Sequence, residues 1–310
     1  MSFLPKIIAV TGPTASGKST LGVKLAEKIN GEIVSADSMQ IYKFMDIGTA
    51  KPTEAEKCGI LHHMLDIIPP TESYSVARYI KDAYACIDNI LSRNKTPILV
   101  GGTGLYIDSL ISGRTFSARG DEKLRKELED EFDNLGGEHM LNKLSEFDPQ
   151  RASLLHVNDK KRIVRAIESY LTTGKTISLH DEETKSLSSP YTIVKAALNF
   201  SDRNVLYDRI NLRVDIMMEN GFLSEVEKLL KSGVTSDNTS MQAIGYKELS
   251  DVIINKTDLS SAVEKIKMES RRYAKRQLTW LRRDKNTTWI NRDKIPDYDK
   301  DILVLMELLS

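Results

Sequence analysis

One motif of eight residues near the start of the chain constrains its fold more than any other feature: Gly12-Pro-Thr-Ala-Ser-Gly-Lys-Ser19 fits G-x4-G-K-[S/T]. It lies between a predicted strand, Lys6 to Val10, and a predicted helix from Lys18 to Asn30 that Gly31 stops. In such a loop the backbone N–H groups converge on an anion, Lys18 adds a positive charge, and the Ser19 hydroxyl can ligate a magnesium ion. The motif predicts a phosphate site but does not say which phosphate compound it holds. The residues predicted to form it are Gly12, Pro13, Thr14, Ala15, Ser16, Gly17, Lys18 and Ser19.

Short β-rich runs alternate with helical stretches as far as about Gly113, which is typical of an α/β protein with a parallel sheet. A second strand is predicted at Glu32 to Ser35, and Ser73 can cap a helix that runs to about Arg93. Pro97 to Val100 reads as a third, buried strand, which Gly101-Gly-Thr-Gly104 follows.

The strand signals vanish from about Arg119 to Thr173, where charged helical periodicity takes over. Asp181 to Ser189 is predicted to be a polar loop and Tyr191 to Phe200 a strand, after which the chain is predicted to be helical except near Thr288 to Ile290. We therefore expect a core domain formed by residues 1–118 and 191–310, with an inserted helical domain at residues 119–190.

Two polar residues follow predicted strands and so belong at the same sheet edge as the phosphate loop. Asp37 comes two residues after the second strand, where a carboxylate can be a magnesium ligand, a general base or only the acceptor of an Asx turn. Thr103 follows the third strand, and a ligand contact there is about as well supported as a tight strand-to-helix turn.

The length, cysteine count, apolar runs and charge of the chain limit the classes of protein to which it can belong. A chain of 310 residues can bury a core without disulfides, and its two cysteines are expected to be reduced thiols in a cytosolic setting. The apolar runs have about four residues, against roughly 18 needed to span a bilayer, and neither a signal peptide nor a membrane contact is expected. The 44 Lys and Arg balance the 44 Asp and Glu, which argues against nucleic acid unless the basic residues share a face.

Near the C-terminus, Lys265 to Arg283 contains eight cations, among them Arg276, against one acid, Glu269. Tyr273 and Trp280 interleave with these cations, as on a surface that follows a nucleic-acid backbone, although a solvated helix face accounts for such a run about equally well.

Two smaller basic clusters occur earlier. Lys160-Lys-Arg-Ile-Val-Arg165 places Arg162 and Arg165 on one helix face, and Arg209 and Arg213, spaced i, i+4, can reach an anion together.

The string Asn255-Lys-Thr-Asp258 matches the N-K-x-D pattern that reads guanine in GTPases. The apolar residues before it have helical spacing, and Ser260 onward resumes a helix, so the string is interpreted as an interhelical turn. This argues against a GTPase.

Taken in order, these motifs resemble the tRNA dimethylallyltransferase family, also called isopentenyl-tRNA transferases, over nearly the whole chain. No zinc finger follows Arg283, which indicates the bacterial type. The matching segments after the phosphate loop are Ser35-Ala-Asp-Ser-Met-Gln-Ile-Tyr42, Met45-Asp-Ile-Gly-Thr-Ala-Lys-Pro52, His63-Met-Leu-Asp66, Val100-Gly-Gly-Thr-Gly-Leu-Tyr106, Asn158 to Glu168, Gln242-Ala-Ile-Gly-Tyr246 and Lys275-Arg-Gln-Leu-Thr-Trp-Leu-Arg282.

The resemblance implies a P-loop NTPase-like parallel sheet flanked by helices, with an inserted, mainly helical domain that binds tRNA. It implies a cytoplasmic, magnesium-dependent enzyme, expected to be a monomer. The enzyme would transfer a dimethylallyl group from dimethylallyl diphosphate to N6 of the adenosine 3′ to the anticodon, in tRNAs that read codons beginning with U.

The resemblance also suggests roles for single residues. Asp37 would be the base, Lys18 a second catalytic residue, Ser19 the metal ligand, and Arg213 a further diphosphate ligand. The residues expected to contact tRNA are Asp37, Ser38, Met39, Gln40, Thr103, Arg125, Lys161, Arg162, Arg165 and Arg276.

Three other functions share parts of this pattern. A small-molecule kinase would use the same sheet and loop with ATP, but it leaves the C-terminal basic helix unexplained. An adenylate prenyltransferase would modify free AMP, and a noncatalytic RNA-binding module would not need the Asp37 carboxylate.

Overall fold

A computed structural model describes residues 4–113, 116, 120–184 and 189–309. The chain divides into a first compact unit, Met1–Ile111 with Pro190–Ser310, and a second, Ser112–Ser189. The domain boundary predicted between residues 118 and 119 lies outside the described residues, as do residues 185–188 of the predicted polar loop.

In the described residues, six strands form one sheet in which every neighbouring pair is parallel. They are β1 (Lys6–Thr11), β2 (Gly31–Ala36), β3 (His62–His63), β4 (Thr96–Gly101), β5 (Thr192–Asn199) and β6 (Thr288–Asn291). Their spatial order is β3-β2-β4-β1-β5-β6, so β1 is interior, with Ile8 opposite both Ile98 and Val194. The α/β class with a parallel sheet is therefore confirmed.

Thirteen α-helices and one 3-10 helix, Thr239–Gln242, accompany these strands in the described part of the chain. The α-helices are α1 (Lys18–Ile29), α2 (Glu54–Lys57), α3 (Val76–Ser92), α4 (Gly104–Ser112), α5 (Glu122–Ser145), α6 (Pro149–Ala152), α7 (Lys160–Thr173), α8 (Ile177–Thr184), α9 (Arg203–Glu219), α10 (Phe222–Lys231), α11 (Tyr246–Asn255), α12 (Leu259–Leu281) and α13 (Tyr298–Leu309). None of them is long and apolar enough to cross a lipid bilayer, as far as the described residues extend.

Helix α1 packs closely on the sheet next to the phosphate loop. Leu21 and Leu25 are buried against Ile8, Val100 and neighbouring core residues. A Cβ atom on Gly22 would lie 2.6 Å from a methyl group of Val100, so a glycine is needed for this close approach. The packing fixes the start of the helix, and hence Lys18 and Ser19, relative to the strands.

The structure corrects three local expectations. Helix α1 ends at Ile29, Asn30 caps it in the left-handed conformation, and Gly31 is the first residue of β2. Ser75 caps α3 in place of Ser73, because its hydroxyl accepts from the Arg78 N–H at 3.2 Å. Residues 181–184 belong to α8 and not to a loop.

The second unit has its own apolar core between α5 and α7, where Leu128, Met140 and Ile167 are buried together. Gly136, with φ 84°, interrupts α5 and redirects it. The unit is helical throughout its described secondary structure.

The N-K-x-D string is an interhelical turn, as predicted. Helix α11 ends at Asn255, and the Asp258 carboxylate accepts from the Ser261 N–H at 2.7 Å to begin α12.

Candidate active site

A cavity of about 310 Å³ lies in the first unit at the carboxyl ends of β1, β2 and β4. Residues after β1 and β2 form one part of its wall, and helices α9 and α12 form another. The predicted site residues that line it are Thr14, Lys18, Ser19, Asp37, Ser38, Met39, Gln40, Arg213 and Arg276.

The phosphate loop has the backbone that its sequence predicts. Gly17, with φ 87°, adopts the left-handed conformation immediately before α1, where a side chain would be strained. The Lys18 Nζ donates to the Pro13 carbonyl at 3.3 Å and so lies across the loop. Gly12, Pro13, Ala15, Ser16 and Gly17 form the loop without lining the cavity.

Lys18 and Arg213 make this cavity electropositive. Burial, and next the positive charge of Arg213, lower the pKa of Lys18 to about 8, while Asp37 acts in the opposite direction. Burial also lowers the pKa of Arg213.

The same region holds polar atoms without partners. Within the described residues, the buried Ser16 hydroxyl and the buried Nε of Arg213 have no hydrogen-bond partner. Two mutually repelling cations and orphaned donors are the arrangement expected of a site whose missing partner is an anion.

The structure shows one of the three roles considered for Asp37, that of an Asx-turn acceptor. Its Oδ1 accepts from the N–H groups of Met39, at 2.9 Å, and Gln40, at 3.4 Å, which is an Asx turn. The same carboxylate lines the cavity. The turn therefore holds the carboxylate beside the phosphate loop and does not exclude a chemical role.

Thr103 supports this segment from the turn after β4. Its hydroxyl oxygen accepts from the Ser38 N–H at 3.0 Å and lies 3.4 Å from the Ser38 hydroxyl. Gln40 is also engaged within the protein, since its Nε2 donates to the Thr49 and Ala50 carbonyls at 3.2 Å each.

Helix α12 has a role that the sequence analysis missed. The cavity is lined by Ser270, Tyr273, Arg276 and Gln277. Residues three or four positions apart lie on the same face of a helix, so these four side chains share one face of α12. Burial, and next the charge of Asp37, raise the pKa of Tyr273 to about 12. This helix is thus both a basic segment and a wall of the cavity.

The cations of α12 differ in their surroundings. Lys267 pairs with Asp215 at 2.8 Å, and Arg272 pairs with Glu269 at 2.6 Å. In contrast, Lys275 and Arg276 near the end of α12, and Arg282 and Arg283 just after it, have no acidic partner within the described residues, and all four are exposed. The unpaired cations lie toward the C-terminal end of the helix.

Glu225 is a second residue that the sequence analysis missed. Its buried carboxylate accepts from the N–H groups of Asp46, Ile47 and Gly48 at 2.8–3.1 Å and from the Tyr246 hydroxyl at 2.6 Å. Burial and this carboxylate raise the pKa of Tyr246 well above its usual value. Glu225 therefore fixes a loop of the cavity wall, a role for which a glutamate on an amphipathic helix gives no local signal.

Part of the cavity is apolar. Residues from α9, α10 and α12 line it together with the segment before α11. They include Ile210, Val214, Met217, Phe222, Ala243 and Ile266. One cavity therefore offers cationic, carboxylate and hydrocarbon surfaces.

The remaining predicted residues lie in the second unit. Arg125 of α5 and Arg165 of α7 both pair with the fully buried carboxylate of Glu168, at 2.9 and 2.8 Å. Lys161 and Arg162 are exposed at the start of α7. The unit thus carries two arginines held by one carboxylate, with two exposed cations on the preceding turn of α7.

The oxygen donors that line the cavity fit the ligand preference of a magnesium ion. The described residues contain no group of three or more His, Cys, Asp or Glu that could hold a metal. Ser19 is exposed in the cavity, and the Asp37 carboxylate lines the same space. Magnesium commonly takes only one or two protein oxygens and completes its coordination with waters and phosphate oxygens.

The chain matches two protein-family models: IPP transferase over residues 40–284, and Isopentenyl transferase over residues 5–69. It is 47% identical to a tRNA dimethylallyltransferase of Acetivibrio thermocellus over 306 residues, which are 98% of this chain and 96% of the relative.

Two solved structures are similar to the chain. One is the full-length tRNA isopentenylpyrophosphate transferase from Bacillus halodurans, with 43% identity, a TM-score of 0.73, and coverage of 98% of this chain and 95% of the other. The second is a eukaryotic dimethylallyltransferase acting on tRNA, with 30% identity, a TM-score of 0.83, and coverage of 97% and 77%.

The pKa of Lys18 predicts how diphosphate binding depends on pH. Because the charged amine binds the anion and its pKa is about 8, affinity should be full below pH 8 and decline above it. The decline should reach up to about tenfold per pH unit. Calorimetry with inorganic diphosphate from pH 7 to 9, at constant magnesium, measures it. Lys18→Arg stays charged over this range, so parallel pH profiles in the two proteins would contradict the prediction.

Proposed function

The chain belongs to the IPP transferase family, and on that premise we propose that it modifies tRNA by prenyl transfer. The proposed donor is dimethylallyl diphosphate, and the proposed acceptor is N6 of the adenosine 3′ to the anticodon, in tRNAs that read codons beginning with U. The observation that carries the proposal is the cavity in which phosphate-loop residues, the cations Lys18 and Arg213, a carboxylate and an apolar wall meet.

The cationic part of the cavity suits the leaving group. During transfer the bond between C1 of the allylic chain and the diphosphate oxygen breaks, and its electron pair leaves with the diphosphate. Lys18, Arg213 and the loop N–H groups would stabilise the charge that develops on that oxygen. The residual allylic cation is delocalised, and the apolar side chains would exclude water from it.

Asp37 would accept the proton that the acceptor loses. The adenine amine is a weak nucleophile, but its N–H becomes acidic as the new bond between N6 and C1 forms. The carboxylate, held by its Asx turn at the cavity wall, would take that proton. The products are N6-dimethylallyladenosine in the tRNA and free diphosphate.

We propose magnesium as the metal ion, with the Ser19 hydroxyl as its protein ligand and diphosphate oxygens as further ligands. When bound, the ion would neutralise part of the diphosphate charge. The chain's own residues position the anion, exclude water and move the proton.

The RNA contacts would be divided between the two units. In the first unit, the Asp37 to Gln40 segment, Thr103 and Arg276 lie at or beside the cavity, and in the second, Arg125, Lys161, Arg162 and Arg165 supply positive charge. The target base must leave the stack of the anticodon loop to react, so contacts with the RNA backbone are needed to hold the rest of the stem-loop. We propose a monomer that acts on tRNA in the cytoplasm.

The variant Asp37→Asn separates the proposed role of Asp37 as a base from its role in the Asx turn. Asparagine keeps an Oδ1 acceptor for the Asx turn but cannot take the proton, so turnover should fall by roughly 100-fold or more while tRNA affinity stays nearly unchanged. Single-turnover formation of N6-prenylated adenosine in an anticodon stem-loop, measured beside RNA binding, tests this. Asp37→Ala provides the comparison that loses both functions. A variant Asp37→Asn as active as the parent protein would restrict Asp37 to the turn, and equal rates on free AMP would argue against tRNA as the acceptor.

Ser19→Ala tests the proposed metal ligand. Loss of the hydroxyl should raise the magnesium concentration needed for half-maximal turnover by about tenfold. Thr20→Ala, at the next and exposed position of α1, is the matched control and should leave the magnesium requirement unchanged. Identical magnesium titrations of Ser19→Ala and the parent protein would remove Ser19 from the metal site.

Lys275 and Lys267 provide a matched pair for RNA binding, because either alanine substitution removes one charge from α12. Lys275 lacks an acidic partner in the described structure, whereas Lys267 pairs with Asp215. Lys275→Ala should weaken stem-loop binding several-fold and lower the salt slope by about one, and Lys267→Ala should do neither. Salt titrations of RNA binding measure both effects, and equal slopes in the two variants would show that this end of α12 makes no phosphate contact.

A further inference from the structure

Gln277 joins the phosphate loop to helix α12 through a buried side-chain amide. Its Oε1 accepts from the Thr14 N–H at 2.9 Å, and its Nε2 donates to the Gly102 carbonyl at 3.0 Å. The side chain is only 6% exposed. A single amide therefore uses its donor and its acceptor on two different strand-to-helix turns.

The position of this amide depends on Gly102. A Cβ atom there would lie 2.2 Å from the Gln277 Nε2, so any larger residue would displace the amide. The next residue, Thr103, holds the Ser38 N–H, and Ser38 follows Asp37. The contacts of Gln277 thus extend from the phosphate loop to the segment that carries the proposed base.

The same helix carries the exposed cations that have no acidic partner. Arg276 precedes Gln277 and lines the cavity, and Lys275 lies one residue earlier on the exposed side. Over so short a stretch a helix moves as a rigid element, so a shift of its exposed face also shifts the Gln277 amide. RNA bound to the exposed face of α12 and an anion bound at the phosphate loop would therefore both affect the position of this helix.

We propose that Gln277 is a positioning residue that couples the two substrates, so that RNA bound at the exposed face of α12 and diphosphate bound at the phosphate loop strengthen each other's binding. This coupling rests on the proposed function, because it requires that both ligands occupy the assigned surfaces. Coupling is reciprocal, so the factor by which RNA tightens diphosphate binding equals the factor by which diphosphate tightens RNA binding.

Binding of inorganic diphosphate, measured by calorimetry with and without an anticodon stem-loop, tests the coupling in the full-length protein. The stem-loop should tighten diphosphate binding at least about fivefold in the parent protein and less than about twofold in Gln277→Ala. Gln150→Ala removes an exposed glutamine side chain elsewhere and should retain the parent coupling. Loss of loop packing alone would lower diphosphate affinity equally with and without RNA, and that result would overturn the proposal.

Gly102→Ala breaks the contact between Gly102 and the Gln277 amide without changing any residue of α12. It therefore provides a second test of the coupling if Gln277→Ala fails to fold. It should reduce coupling as Gln277→Ala does, and the double variant should be no worse than Gln277→Ala alone, because the displaced amide is already absent. Additive losses would overturn the proposal, as would a parent protein without coupling.

A separate assay of prenyl transfer by the parent protein distinguishes the two hypotheses. Transfer without coupling would refute the inference and leave the proposed function intact. Coupling without transfer would refute the proposed function and support the role of Gln277 as a link between the binding sites.

Discussion

The burial of two cations, Lys18 and Arg213, at one cavity is the electrostatic constraint on which the candidate site depends. Neither cation has a carboxylate ion pair in the described structure, and burial lowers the pKa of each. Such an arrangement costs free energy in the unliganded protein, and the fold must compensate for it elsewhere. The compensation comes from a sheet whose interior strands are buried on both faces and from close packing of α1, where Gly22 allows contact with Val100. Preorganised charge of this kind can stabilise an anion without rearrangement at the moment of reaction.

Buried carboxylates hold several other segments of the protein in place. Glu225 orders the Asp46 to Gly48 segment, and Glu168 holds Arg125 and Arg165 in the second unit. Glu32 of β2 is similarly surrounded, and Arg93, followed by other nearby cations, keeps the pKa of its carboxyl far below the usual range. A buried carboxylate must satisfy its oxygens with several donors, so each of these residues fixes groups that are distant in sequence.

The basic helix α12 shows that the charge composition of a segment and its three-dimensional geometry can suggest different roles. Zero net charge argues against nucleic acid as a partner, whereas the local run of cations argues for it. In the structure, part of that run is neutralised by acidic neighbours such as Asp215, and the unpaired cations gather near the C-terminal end of the helix. Another set of positions on the same helix, including Tyr273 and Gln277, closes the cavity. A linear count of charges could not separate these surfaces.

The sequence by itself determined the phosphate loop, the α/β alternation, the position of most strands and the interhelical turn at Asn255 to Asp258. These features follow from local rules, namely glycine conformation, capping and the periodicity of apolar residues. It also placed Asp37 at the correct sheet edge, because parallel strands end on the same side. Only the tertiary structure decided that Gln277 reaches Thr14, that Glu225 holds the loop at Gly48, and that Glu168 collects two arginines. Apart from the Arg165–Glu168 pair, these contacts join residues separated by 43 to 263 positions, and no local pattern encodes them, because a buried polar side chain takes its role from the groups that folding brings to it.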